Sequence, residues 1–416
     1  MTADRGRLRF LIRAFTDFIG IAAPFKTYDI PTKRDGKRIL IFNWRDQRHT
    51  HAGGAEVYVQ ELAKRWVKEG SHVTLFCGSD GGDAPRHEQV DGINVIRRGG
   101  HYFVYLWAFM YYSVRFRGKF DLIVDCHNGI PFFTPLFTRL PVICVVHHIH
   151  QEVFKRHLPQ PFAAFACFLE GTVMPRAYKY SQYVTVSEST KHEMEDMGMT
   201  SQKGIDIVYN GVDLENLRPA KKAEKPLIVF LGRLQAYKSI DVLIHAFSDV
   251  IKQQPDAKLV IAGGGEAEHS LRDLVHELHL DTSISFAGKV SEQEKRNLFQ
   301  RAWLMVNPSM KEGWGITTIE ANACATPVIG SDVPGLRDSI VNGKTGELVP
   351  YGNIDTLATH IKEYLDDEPR RIETESSAYT WSQKFKWEHS AHKLYELISK
   401  ESLPVKPNSK SQGEPA

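Results

Sequence analysis

The chain has 416 residues, of which 42% are hydrophobic, with 52 Lys plus Arg against 50 Asp plus Glu. That length suits two domains with extensions, and a formal net charge of +2 excludes a nucleic-acid binder driven by bulk charge. Five scattered cysteines, Cys77, Cys126, Cys144, Cys167 and Cys324, form no C-x-x-C pair and read as reduced thiols, and no apolar run reaches the ~18 residues of a membrane-crossing helix.

Leu8, Leu11, Ile12, Phe15 and Ile19 recur at helical spacing among Arg5, Arg7, Arg9 and Arg13. Residues 1–36 therefore read as a basic amphipathic extension. Three readings stay open for it: on an anionic membrane surface, packed on the body of the protein, or disordered. Arg13 and Asp17 interrupt the stretch and count against a secretory signal. From residue 38 apolar strands alternate with helical patterns. Strands are predicted at 38–42, 73–76, 93–96, 122–124, 142–146, 183–186 and 207–209. The first helix opens at Gly54 and places Tyr58, Leu62 and Trp66 on one face. Residues 102–112 are apolar nearly all round, with Phe103, Leu106, Trp107, Phe109 and Met110, and suit a buried helix or a lipid-facing one. A polar stretch bearing Pro219 and Pro226 reads as a linker. A second series follows, with strands at 227–231, 258–262, 283–286, 304–307, 327–330 and 346–349. Continuous apolar strands of this kind belong to parallel sheets covered by helices on both faces. The expected fold class is α/β: two Rossmann-like domains, 37–218 and 219–380, with parallel sheets facing across a cleft. A last helix is expected at 381–400. The tail 401–416, rich in Ser, Pro, Lys and Gly, reads as disordered.

Ligands of open parallel sheets bind beyond the carboxyl ends of the strands, and several motifs fall there. Ala52-Gly53-Gly54-Ala55-Glu56 ends the first strand and opens the first helix. Its glycines let backbone approach a ligand, and the helix N-terminus offers N–H groups to an anion. His147-His148-Ile149-His150 closes the strand at 142–146. Adjacent strand side chains face opposite ways, so His147 and His148 do not readily share a metal ion; one histidine in the cleft is the favoured reading. Gly232-Arg233-Leu234, with Lys238 close behind, supplies a fork and a point charge that suit a diphosphate. Gly263-Gly264-Gly265 is a nucleotide-proximal loop or simply a tight turn. Glu312-Gly313-Trp314-Gly315-Ile316-Thr317-Thr318-Ile319-Glu320 joins a strand to a helix expected near 315–325 and sends two carboxylates toward sugar hydroxyls. No Asp-x-Asp triplet occurs, so no metal is expected at the diphosphate; Arg233, Lys238 and helix N-termini take its place.

With these residues the sequence resembles the family 4 retaining glycosyltransferases of the GT-B fold, over about residues 38–396. The resemblance rests on Gly53 and Gly54, His147, Val186-Ser187-Glu188, Tyr209-Asn210-Gly211-Val212-Asp213, Gly232-Arg233-Leu234 with Lys238, and Glu312 with Glu320. It implies that Arg233 and Lys238 bind the donor diphosphate and Glu320 the ribose hydroxyls. It implies that Glu312 contacts the transferred sugar and that backbone N–H groups of Gly315, Ile316 and Thr317 reach sugar and diphosphate. Gly53 and Gly54 would approach the phosphate, His147 the anomeric carbon, and Gly288-Lys289-Val290 the base. The last helix would cross back onto the first domain. Ser239 and Thr326 stand where the family pattern often has glycine.

The reaction so implied moves a hexosyl unit from a UDP- or GDP-linked sugar to an acceptor hydroxyl, with the anomeric configuration retained. His147, Glu312, Arg233 and Lys238 would act at the reacting centre. No cofactor beyond the nucleotide sugar and no nucleic acid partner is expected. The acceptor is a saccharide or a lipid-linked saccharide, and the expected location is the cytoplasm or the inner face of the membrane. Rival readings are a sugar-nucleotide epimerase, a non-catalytic sugar-nucleotide-binding protein and an NAD-dependent enzyme; the last lacks a G-x-G-x-x-G pattern at Gly53-Gly54.

Overall fold

The computed structural model describes residues 36–50 and 52–401. The basic extension expected at 1–36 falls almost wholly outside the described residues, as does the tail after 401. Eight strands form the first sheet: β1 (Arg38–Phe42), β2 (His72–Cys77), β3 (His87–Val90), β4 (Ile93–Arg97), β5 (Leu122–His127), β6 (Val142–Val146), β7 (Gln182–Thr185) and β8 (Ile205–Ile207). Their spatial order is β3-β4-β2-β1-β5-β6-β7-β8, and only β3 runs antiparallel to its neighbour. Six form the second: β9 (Leu227–Leu231), β10 (Lys258–Ala262), β11 (Ile284–Gly288), β12 (Leu304–Asn307), β13 (Val328–Ser331) and β14 (Gly346–Val349). These are parallel throughout, in the order β11-β10-β9-β12-β13-β14.

The central strands are short runs of Val, Ile, Leu and Phe with both faces buried, as in Val142-Ile143-Cys144-Val145-Val146. Such strands need helices on each side. Helix α1 (Gly54–Lys68) covers one face of the first sheet, and its Tyr58, Leu62 and Trp66, four residues apart, are all buried. Each such side chain contributes about 1.5–3 kcal/mol of burial. Helix α2 (Gly100–Tyr111) belongs to the layer on the opposite face, as do the segments around α3 (Phe162–Phe168) and α4 (Glu188–Asp196). In the second domain α5 (Glu292–Arg301) and α6 (Ile316–Ala323) flank the carboxyl edge of the sheet. The last helix, α7 (Trp387–Glu401), leaves the second domain and packs on α1. Trp66 Nε1 donates to the carbonyl of Ala391 at 3.0 Å, and Arg65 pairs with Glu388 at 2.6 Å.

Strand β3 carries no apolar run to betray it. Its sequence is His87-Glu88-Gln89-Val90, at the sheet edge, where Glu88 pairs with Arg48 and Arg97. Among the described residues no helix is long and apolar enough to cross a membrane.

Candidate active site

The carboxyl edges of the two sheets meet, and the contacts are carried by glycines. A Cβ placed on Gly53 would lie 3.6 Å from Arg233 Nε, and one on Gly54 would lie 3.3 Å from Ile316 Cδ1. A Cβ on Gly313 would lie 2.3 Å from the carbonyl oxygen of His147, inside contact distance. Two loops of the first domain's edge thus touch two of the second's. Gly53, Gly54, His147, Arg233, Gly313 and Ile316, far apart in the chain, surround one cleft.

Arg233 follows β9, and its guanidinium donates to Tyr237 Oη at 2.6 Å. Lys238 ends a short helical turn and is ion-paired with Glu312. Ser239, one of the two positions where the family pattern has glycine, sits at φ 49°, in the left-handed region that favours glycine. Its hydroxyl meets Tyr351 Oη at 3.0 Å. Thr326, the other, is buried, and its Oγ1 donates to the carbonyl of Phe299 at 2.6 Å.

Glu312 lies in the loop between β12 and α6. It accepts from Ser309 Oγ at 3.0 Å and Asn307 Nδ2 at 3.3 Å as well as from Lys238. Burial opposes its ionisation, but the Lys238 charge and these three hydrogen bonds outweigh burial and hold its carboxyl below the usual glutamate range. Gly315 caps α6 at φ 80°, which leaves the first-turn N–H groups of Ile316 and Thr317 open toward the cleft loops. The helix spans two residues fewer at its C-terminal end than the sequence pattern suggests. Glu320, on α6, is 9% exposed and accepts from Lys295 Nζ at 2.7 Å. Burial pushes its carboxyl up, and Lys295 offsets only part of that. Val290 is half-buried just past β11, beside Lys289, whose Nζ crosses to the carbonyl of Thr50 at 3.1 Å. Gly263 adopts φ 135°, and a Cβ there would come within 1.8 Å of the Gly232 carbonyl oxygen, so the loops after β9 and β10 close only around glycine.

His147 lies just past β6, buried, with its ring edge-on to Tyr58 at 5.2 Å. Burial, reinforced by His127 and His150, lowers its pKa from 6.5 to about 3, so the ring is neutral at ordinary pH. His148 stacks with His150 at 4.0 Å between ring centroids. Among the described residues the cluster that comes within metal-ligand spacing is a different one: His127, His150 and Glu170, buried, with ligand atoms within 4.8 Å of one another. Glu170 Oε1 is approached by His150 Nδ1 at 3.3 Å and His127 Nε2 at 3.4 Å, and accepts from the His150 backbone N–H at 2.8 Å. One oxygen is thus the hub of the cluster: it hydrogen-bonds to His150 and lies close to the His127 ring.

Sequence reading missed this hub and missed Lys295. Glu170 stands 43 residues from His127, a separation with no motif spacing. Lys295, on α5, falls in the charged run Glu292-Gln293-Glu294-Lys295-Arg296 and looks solvated.

The description "Glycosyltransferase Family 4" matches residues 52–216, and "Glycosyl transferases group 1" matches residues 214–381. The D-inositol 3-phosphate glycosyltransferase of Rhodococcus jostii is 30% identical over 390 residues, spanning 83% of this chain and 84% of that protein. The chain belongs to the family 4-like GT-B glycosyltransferases. This glycosyltransferase is also 28% identical to an uncharacterized glycosyltransferase of Methanocaldococcus jannaschii, over 76% of its own length and 86% of the relative's. Among solved structures, sucrose-phosphate synthase from Thermosynechococcus elongatus shares the fold at a TM-score of 0.75 and 20% identity, covering 88% of this chain and 98% of that one. Anabaena HepE, solved with UDP-glucose, does so at 0.69 and 18% identity, covering 88% and 100%.

Proposed function

We propose that this glycosyltransferase moves a hexosyl unit from a nucleotide diphosphate sugar to the hydroxyl of a lipid-linked saccharide, with retention and without a metal ion. The observation that supports the reading best is the meeting of Arg233, Lys238, Glu312 and the start of α6 around the Gly53-Gly54 turn. Arg233 and Lys238 bind the diphosphate as fork and point charge. The first-turn N–H groups of α6 add donors to the same oxygens. Glu320 takes the ribose hydroxyls and Glu312 the hydroxyls of the sugar. Neither cation needs a bridging metal to neutralise the leaving group, and the chain has no Asp-x-Asp triplet to hold one.

The acceptor hydroxyl attacks the anomeric carbon from the side on which the diphosphate departs. The C–O bond to the leaving phosphate breaks, the new glycosidic bond forms on the same face, and a phosphate oxygen receives the acceptor's proton. Catalysis comes from positioning and from charge stabilisation on the departing oxygens. His147, neutral and walled by Tyr58, borders the anomeric carbon without competing for that proton. The enzyme works on the cytoplasmic face of a membrane.

The test is a thermal-shift panel of UDP- and GDP-linked sugars, starting with UDP-glucose because a fold neighbour was solved with it. A transfer assay with the best donor follows. Stabilisation by one nucleotide sugar and acceptor-dependent release of its nucleotide support the proposal. Conversion of the donor sugar with no acceptor present supports an epimerase instead.

A further inference from the structure

The helical layer over one face of the first sheet carries apolar side chains on both its sides. On α2, Val104, Trp107 and Tyr111 are buried, while Phe103, Leu106 and Phe109 are 45%, 53% and 46% exposed. On α3, Ala163 and Ala166 are buried, while Phe162, Phe165 and Phe168 are 67%, 59% and 51% exposed. A surface helix ordinarily turns polar residues outward; these two turn phenylalanine outward at helical spacing. Of the thirteen large hydrophobic side chains exposed among the described residues, ten lie between residues 103 and 180. The apolar surface is therefore gathered in one layer, and gathered patches mark interaction sites where scattered ones do not.

The two ridges share one foundation. Trp107 and Tyr111 from α2, and Met174 and Tyr178 from the segment after α3, belong to a single core cluster on the same sheet face. The loop between β5 and β6 packs on both parts of this foundation: Phe109 meets Phe137 edge-on at 5.4 Å, and Phe133 lies 6.3 Å from the buried Tyr178 ring. Helix α2 opens at Gly100, just after β4 ends at Arg97, and α3 follows a short helix (Gln151–His157) that starts from the His147–His150 turn beyond β6.

The charge of the layer identifies what it meets. Arg117, Lys119, Arg139, Arg176 and Lys179 are exposed around the ridges. Of the four acids in the same stretch, Asp125 and Glu170 are fully buried and Asp121 is held by Arg38 at 2.6 Å, which leaves Glu152 exposed against these cations. An apolar ridge rimmed by cations matches an anionic bilayer, where aromatic rings seat at the boundary between headgroups and acyl chains and cations meet the phosphates.

We propose that this layer docks the enzyme on an anionic lipid bilayer through the phenylalanine ridges of α2 and α3. The proposal rests on the lipid-linked acceptor reading for its purpose, but it needs no contribution from residues 1–35.

The test is flotation of the full-length protein with phosphatidylcholine vesicles, with and without phosphatidylglycerol. The comparison is with a variant carrying Phe162→Ser, Phe165→Ser and Phe168→Ser together. All three side chains are exposed, so an unchanged melting curve checks the fold. The wild type should float with the phosphatidylglycerol vesicles, less so at high salt, and the variant should partition about tenfold more weakly or worse. A wild type that does not float, or a variant that floats equally well, overturns the proposal. So does a wild-type dimer in solution that the variant loses, since the ridges would then be a protein interface. The thermal response to UDP-glucose reads the transferase separately: its retention in the variant keeps a lost membrane contact distinct from a lost donor site.

Discussion

Glu312 and Glu320 carry the same side chain, and their surroundings drive them in opposite directions. Both are buried, which disfavours the carboxylate. Glu312 overcomes this through Lys238, Ser309 and Asn307 and is held low; Glu320, with Lys295 as its main partner, stays high. A glutamate held below its ordinary 4.5 stabilises the fold above that pH, and the gain is lost as pH falls through the lowered value. Replacing Lys238 by Met removes the cation for the diphosphate and strands Glu312. The variant should lose about 100-fold or more in kcat/KM. Its melting temperature should drop at pH 7 and approach that of the wild type at pH 4, where Glu312 without its lysine is neutralised. Calorimetry at both pH values and steady-state kinetics check this. His147 gives the converse test. An unfolded histidine takes up a proton below about pH 6.5, whereas His147 in the fold refuses one until about pH 3. The unfolded chain then binds more protons, so stability rises with pH across that window and is full above it. His147→Gln should make the decline in melting temperature between pH 7 and pH 4 shallower, leaving the part owed to His87, His127 and His148, whose pKa values burial also lowers.

At the scale of elements, the loop from β12 to α6 must touch the first domain with bare backbone. A Cβ on Gly313 would press on the His147 carbonyl oxygen at 2.3 Å, and backbone on both sides cannot yield as a flexible side chain would. Gly313→Ala should therefore hold the cleft open, lowering kcat by about tenfold or more while the melting curve changes little. Kinetics and a thermal melt on the same preparation check it. This loop also marks how far the sequence could be read. Thirteen strands are expected at apolar runs such as Leu227-Ile228-Val229-Phe230-Leu231, because burial on both faces demands such runs, and all form over their runs except β8, which lies at Ile205–Ile207 rather than 207–209. Strand β3 did not, since an edge strand of His, Glu and Gln has no apolar pattern to show. The glycines and charged residues of the cleft stood out because they sit where strands end. Their partners did not: Lys295 beneath Glu320 and Glu170 beneath two histidines are made neighbours by the fold alone.

Across the whole molecule the two sheets are tied by more than the linker. Helix α7 runs back onto α1, Lys311 pairs with Glu193 at 2.9 Å, and the Ser189 N–H donates to Asp338 at 3.0 Å. The last two contacts span the cleft beside the Glu312 loop and act as a latch on the closed arrangement. Lys311→Ala should raise the donor KM by about fivefold, the weight of one half-buried ion pair, with the fold intact by circular dichroism.

The central claim is that Arg233, Lys238, Glu312 and Glu320 form one cage around an activated sugar. The most direct measurement is a crystal structure with UDP-glucose or GDP-mannose, whichever raises the melting temperature more. The diphosphate should lie within hydrogen-bond distance of Arg233 and Lys238, the ribose hydroxyls on Glu320 and the sugar on Glu312. A nucleotide bound away from these four side chains would contradict that claim.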